Sequence, residues 1–374
     1  MSIIVKMGIA ILNVIFFFMK LLPVQKKITY ISRQSNEDPI DFILVKEDIK
    51  KLDPSYKHVI LAKRIPEDLL GKIKYAFYIF VQMYHIATSE AVLLDTYCIP
   101  VSILSQRSSL VVIQMWHALR AFKKFAYSIL DQKEGSSSRI AKLMKMHYNY
   151  SYVLTSSQKA LPYFQEAFHV KKEQMVIFPL PRTDLLIKED QDLIGSIKKE
   201  YPQLKEDKQV IVYAPTFRKS DDHLKDAILS FIDHIDYSKY TLVLKLHPLI
   251  EGSFEDSRII VDQKFTTQDF FHIADIIVTD YSAALFEACM MNKPIYFYDF
   301  DYETYMRNRS FYLDYKHDMP GPLCSSSEQL IQAIEKNTCD LKKVAAFKEM
   351  MVANCHESYT RDFTTFLLKQ LNSD

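Results

Sequence analysis

Short apolar, β-branched runs punctuate this chain, and most of them break off into polar residues within a residue or two of their ends. The first series is Ile28 to Ser32, Val59 to Ala62, Val92 to Leu94, Val111 to Met115, Tyr152 to Leu154 and Val176 to Phe178. After Pro179-Leu180-Pro181 comes a second: Val210 to Tyr213, Thr241 to Leu246, Ile259 to Val261, Ile276 to Val278 and Ile295 to Tyr298. Polar or helical stretches separate them, and that rhythm belongs to parallel sheets covered by helices. Two series imply two α/β lobes, with the polar, proline-punctuated piece 179–208 as the linker. At 374 residues and 48% hydrophobic, the chain can fill both cores. From Ser326 onward the pattern is helical, and the last helix is expected to pack back across the first lobe.

Composition narrows the chemistry. The formal net charge is only +1, so no global basic excess argues for nucleic acid. With 6 glycines, neither GxGxxG nor the Walker phosphate loop can be assembled, so a phosphate must be held another way. The 5 cysteines form no CxxC pair, and no His, Asp or Glu spacing resembles a metal site; neither a metal nor a cofactor is expected.

The amino-terminal apolar run to Met19 is bounded by Lys6 and Lys20 and interrupted by Asn13, too short to span a bilayer comfortably. No small-residue cleavage site follows it. A helix of Phe and Ile flanked by snorkelling lysines suits the interface plane of an anionic membrane, which predicts a peripheral protein on the cytoplasmic face. A packed core helix is the plainer alternative. The stretch Lys72 to Tyr84, led by Lys72 and Lys74, could also touch headgroups, although a core helix is the expectation there.

Polar residues at strand ends carry the chemistry, because doubly wound sheets bind ligands there. Gln114-Met115-Trp116-His117-Ala118 puts the only Trp and a His just past the run from Val111. A histidine in that place can act as general base near neutral pH. Arg120, Lys123, Lys124, Lys133, Arg139, Lys142 and Lys145 follow, either as a basic field for phosphates or as a solvated helix face. In the second half, Ala214-Pro215-Thr216-Phe217-Arg218 brings a hydroxyl and a guanidinium to a strand end, and Lys245-Leu246-His247-Pro248 puts Lys245 and His247 on one face. Thr279-Asp280-Tyr281-Ser282 closes another strand, with Ser282 a natural N-cap for the helix after it and Asp280 suited to a ribose or to orienting a base. The physical sum is a cationic cleft between the lobes, holding a nucleotide diphosphate opposite His117.

These motifs, with Pro181-Arg182-Thr183-Asp184 and the segment Lys293 to Asp299, together resemble the CDP-glycerol glycerophosphotransferase family, the builders of teichoic acids. The resemblance implies a GT-B-like fold of two Rossmann-like lobes, with a membrane-associating helix over 1–23 and an acceptor-side lobe over 24–180. A donor lobe follows over 181–341, then a carboxyl-terminal helical region over 342–374. It implies transfer of glycerol phosphate or ribitol phosphate from CDP-glycerol or CDP-ribitol to an undecaprenyl-linked acceptor, with release of CMP. His117 and His247 become the catalytic residues, and Thr216, Arg218, Lys245, Asp280, Ser282 and Arg182 the donor-binding set. Ala118 departs from the family, which commonly has Gly there, and its methyl bears on substrate fit. The absence of room for a large extra amino-terminal domain favours a priming transferase over a long-chain polymerase. The rivals are a GT-B transferase of nucleotide sugars and a catalytically silent membrane scaffold.

Overall fold

In the computed structural model, residues 2–133, 135–204, 207–218, 222–246, 254 and 256–372 are described. They form two compact units that do not follow the chain simply. The first comprises Met1–Leu119, Phe125–Asp184 and Ala353–Asp374; the second comprises Arg120–Lys124 and Leu185–Val352.

The first unit is built on β1 (Gln25–Ser32), β2 (Lys57–Ala62), β3 (Ser89–Leu94), β4 (Val111–Gln114), β5 (Tyr152–Thr155) and β6 (Met175–Ile177). All pair in parallel, in the order β2-β1-β3-β4-β5-β6. β1 and β3 run apolar on both faces, with Ile28, Tyr30, Ala91, Val92 and Leu93 fully buried, because helices cover the sheet on either side. The strand order reverses between β1 and β3, so the loops after those strands diverge and leave a crevice at their carboxyl ends.

The second unit repeats the plan with β7 (Gln209–Tyr213), β8 (Tyr240–Leu244), β9 (Ile259–Val261), β10 (Ile276–Thr279), β11 (Ile295–Tyr298) and β12 (Leu323–Cys324). Its order is β12-β11-β10-β7-β8-β9, again all parallel, and reverses between β7 and β10. The strands agree with the sequence runs except β12, a two-residue strand that no run announces. It pairs closely because Gly321 has no side chain: a Cβ there would run into the Ile295 carbonyl.

Two helices of the first unit show their apolar faces outward. α1 (Ser2–Met19) buries Phe16 but leaves Ile3, Ile4, Met7, Ile11, Val14 and Phe18 exposed, a stripe at helical spacing. Asn13, which looks like an interruption in the sequence, is its anchor. Its amide donates to the Ile103 carbonyl at 3.2 Å and accepts from the Ser105 backbone at 2.8 Å. After α2 (Ile40–Leu52) comes α3 (Leu69–Ala87), whose exposed stripe is Leu69, Leu70, Ile73, Phe77, Val81 and Tyr84. The expected core helix over Lys72 to Tyr84 is therefore a surface helix on that face. Among the described residues no helix is long and apolar enough to cross a membrane.

The carboxyl-terminal region expected over 342–374 is two helices in different units. Leu341–Met351 belongs to the second, where Phe347 stacks on Phe286 at 5.9 Å. Tyr359–Leu371 belongs to the first, where Arg361 and Thr364 hold Asp48 of α2 at 2.8 and 2.5 Å. Asp184 accepts from the Tyr359 and Thr360 amides at the start of that helix, so the segment 181–184 is structurally part of the first unit.

Candidate active site

At the crevice of the first sheet, His117 follows β4, Asp95 follows β3 and Gln34 lies two residues past β1. The imidazole Nδ1 is 3.0 Å from the Asp95 backbone carbonyl. A carbonyl can only accept, so Nδ1 carries the hydrogen and Nε2 keeps its lone pair. The Gln34 side-chain nitrogen Nε2 lies 3.0 Å from the same ring nitrogen. Burial lowers the His117 pKa; the Asp95 hydrogen bond opposes the shift, and the nearby Arg182 charge reinforces it. Burial thus favours the neutral imidazole, and the Asp95 carbonyl favours the tautomer with its hydrogen on Nδ1.

The turn that presents it is strained. Trp116 has φ of 65°, a left-handed conformation that costs a bulky residue energy. Its amide donates to the Gln114 side chain at 2.9 Å, and its ring stacks on Phe125 at 4.4 Å. Buried Gln114 is held in turn, donating to the Thr96 carbonyl at 3.0 Å and the Tyr150 hydroxyl at 3.1 Å. Asp95 is itself buried, and the loss of water raises its carboxyl to about 6 against the pull of Ser32 and Thr96. Arg182 sits in this unit rather than with the donor groups, with its Nε 2.7 Å from Asp41 and its backbone amide 2.8 Å from the other carboxylate oxygen.

At the crevice of the second sheet, Thr216 follows β7 and Asp280 follows β10. Asp280 is fully buried, accepting from the Thr216 hydroxyl at 2.6 Å, the Arg218 guanidinium at 2.7 Å and the Tyr281 amide at 2.6 Å. With the Thr216 backbone amide donating as well, at 2.9 Å, four donors fill its lone pairs and none is left for a ribose. Arg218 also takes both oxygens of Asp301, at 2.8 and 2.9 Å, and the Thr216 carbonyl at 2.5 Å. Burial opposes its charge, but Asp280 and Asp301 outweigh that and hold it protonated. Four guanidinium hydrogens are committed, so Arg218 braces the loops and has at most one left for phosphate. Ser282 is partly exposed and accepts from the Ala284 amide at 3.2 Å. The helix after it, Ala284–Met290, has only seven residues and starts one residue later than the sequence implies.

Lys245 departs from the expectation altogether. Its ammonium is buried and donates to the Asp262 carboxylate, to the Asp262 carbonyl at 3.1 Å and to the Phe265 carbonyl at 2.7 Å, so all three hydrogens are used inside the protein. His247 lies outside the described residues. Gln34 and Asp95 were not singled out in the sequence, yet each stands directly past a strand of the reversing pair, and that position was the available signal.

The family described as CDP-glycerol:poly(glycerophosphate) glycerophosphotransferase matches residues 14–356. The teichoic acid ribitol-phosphate primase of Bacillus spizizenii is 33% identical over 89% of both chains, and the teichoic acid glycerol-phosphate primase of Bacillus subtilis 29% over 87% of both. Among solved structures, the wall teichoic acid polymerase TagF superimposes with a TM-score of 0.75 at 18% identity, over 99% of this chain and 97% of that one, and shares the fold. With most of its length matched, the chain is an enzyme of the CDP-glycerol:poly(glycerophosphate) glycerophosphotransferase family.

Proposed function

We propose that the enzyme moves glycerol phosphate or ribitol phosphate from a CDP-polyol to a hydroxyl of an undecaprenyl-diphosphate-linked acceptor, working at the cytoplasmic face of the membrane. His117 Nε2 takes the proton of the acceptor hydroxyl. The freed oxygen attacks the phosphorus that bears the polyol, the bond to the bridging oxygen breaks, and CMP leaves with that oxygen. The state of His117 carries this reading: burial favours its neutral form and the Asp95 carbonyl draws the ring hydrogen to Nδ1, which leaves the Nε2 lone pair for the proton that a general base working near pH 7 takes up. The second unit would hold the donor, with Ser282 and His247 the family motif's contacts there and the Thr216–Asp280–Arg218 brace setting the loops that present them.

Two features support the membrane reading. The exposed stripe of α1 is continuous, and α3 carries a second one flanked by Lys72 and Lys74. A helix that docks by a polar anchor, as α1 does through Asn13, and leaves its apolar face bare suits the headgroup boundary.

Donor screening tests the reading. Purified enzyme with a lipid-linked acceptor is expected to release CMP from CDP-glycerol or CDP-ribitol and no UDP from UDP-sugars. UDP release without CMP release would make it a nucleotide-sugar transferase instead.

A further inference from the structure

The residues that the sequence offers as phosphate cations are largely neutralised in place. Arg218 is held by Asp280 and Asp301, Lys245 by Asp262, and Arg182 by Asp41. At the reversal point of the second sheet, Arg218, Asp280 and Asp301 sum to one negative charge, which by itself repels a diphosphate.

Lys123 changes that sum. The segment Arg120–Lys124 leaves the first unit just after the His117 turn and joins the second, where Lys123 makes an antiparallel bridge with Phe311 and the Lys124 amide donates to the Ser310 carbonyl at 2.8 Å. The Lys123 ammonium donates to the Tyr305 hydroxyl at 2.7 Å and makes no ion pair with any described residue. Tyr305 stacks on Tyr281 at 3.9 Å, and the Tyr281 hydroxyl donates to Asp301, so the lysine stands against the same network that Arg218 closes. Its charged neighbours are Asp280, Arg309 and Arg218. Adding Lys123 cancels that negative charge.

We propose that Lys123 is the ammonium that contacts the phosphates of the nucleoside-diphosphate donor in the second unit. This rests on the donor reading above, and the geometry supports it. An ammonium with one neutral hydroxyl partner has two hydrogens left for phosphate oxygens, whereas the ammonium of Lys245 has none. Burial lowers the Lys123 pKa to about 8, Asp280 pulling it back and Arg309 and Arg218 lowering it further. Its charge is therefore present at pH 7 and lost as pH rises through about 8. The tyrosines beside it are pushed upward by burial and stay neutral over that range.

Calorimetry with inorganic pyrophosphate at pH 7, and with CDP-glycerol and CDP-ribitol from pH 6.5 to 9.5, tests this on wild type, Lys123→Met and Lys123→Arg. Lys123→Met is expected to weaken both kinds of ligand roughly ten- to hundred-fold, the worth of a charge-assisted hydrogen bond. Lys123→Arg should restore most of the affinity. Wild-type affinity for the CDP-polyol should fall above about pH 8, and the fall should vanish in Lys123→Arg, because arginine stays charged. A structural role for Lys123 would not move that alkaline limb. If pyrophosphate binds Lys123→Met as tightly as wild type, or does not bind wild type, the assignment of Lys123 is overturned. If pyrophosphate binds through Lys123 but no CDP-polyol binds wild type, the donor reading falls and the anion site stands.

Discussion

A general base needs its proton-accepting atom open and its own charge suppressed, and a main-chain carbonyl supplies the first condition for His117 without any acidic partner. His117→Ala should therefore cost about 10² to 10⁴ in turnover, measured as CMP release, with the thermal unfolding midpoint little changed. The acid limb of kcat/KM should lie below the ordinary histidine range, because burial depresses the folded pKa. A limb at or above pH 7 would contradict the assignment. The same site shows what single residues disclose in a sequence. His117 was legible because it ends an apolar run beside the only tryptophan. The fates of Arg218 and Lys245 were not: their types and positions fit phosphate, but their partners Asp301 and Asp262 lie 83 and 17 residues away, and no local pattern pairs them.

At the scale of elements, buried parallel strands announce themselves because both faces are apolar, so β1 to β11 were legible as runs. β12 was not, since two residues carry no periodicity and its place depends on Gly321 lying against Ile295. Gly321→Ala should push β12 off β11 and destabilise the protein by about 1 to 3 kcal/mol, read by chemical denaturation; an unchanged midpoint would remove that close approach from the account. The outward faces of α1 and α3 were harder to assign, because an apolar stripe looks the same whether it meets protein or lipid. Placing glutamates at Ile11 and Phe18 should release the enzyme from anionic vesicles in co-sedimentation while leaving the fold intact, because both side chains are exposed. Retained vesicle binding would shift the contact to α3, where Phe77→Glu is the matching variant.

For the whole molecule, the division into units runs against chain order. The sequence shows two series of strands and a linker, but it does not show that Arg120–Lys124 joins the second unit or that Ala353–Asp374 returns to the first. Those exchanges depend on packing of residues distant in sequence, such as Thr364 on Asp48. In the first unit burial lowers the pKa of four histidines, His85 among them. Burial lowers His147 to about 3 and His58 to about 4, and His117 shifts the same way. The unfolded chain takes up those protons near pH 6.5 and the folded one resists, so stability is fully present above that pH and falls as pH drops toward 4. Denaturant melts at pH 7.5, 6 and 5 should show a declining midpoint; a flat profile would mean that these rings are charged in the fold. The central claim concerns what the two units accomplish together, and product mass tests it most directly. The enzyme is incubated with a lipid-linked acceptor and either CDP-glycerol or CDP-ribitol, and the lipid product is weighed by mass spectrometry. The account predicts an acceptor heavier by a polyol phosphate, with CMP formed in step; an acceptor of unchanged mass with both donors, or one heavier by a sugar when a nucleotide sugar is supplied, would contradict it.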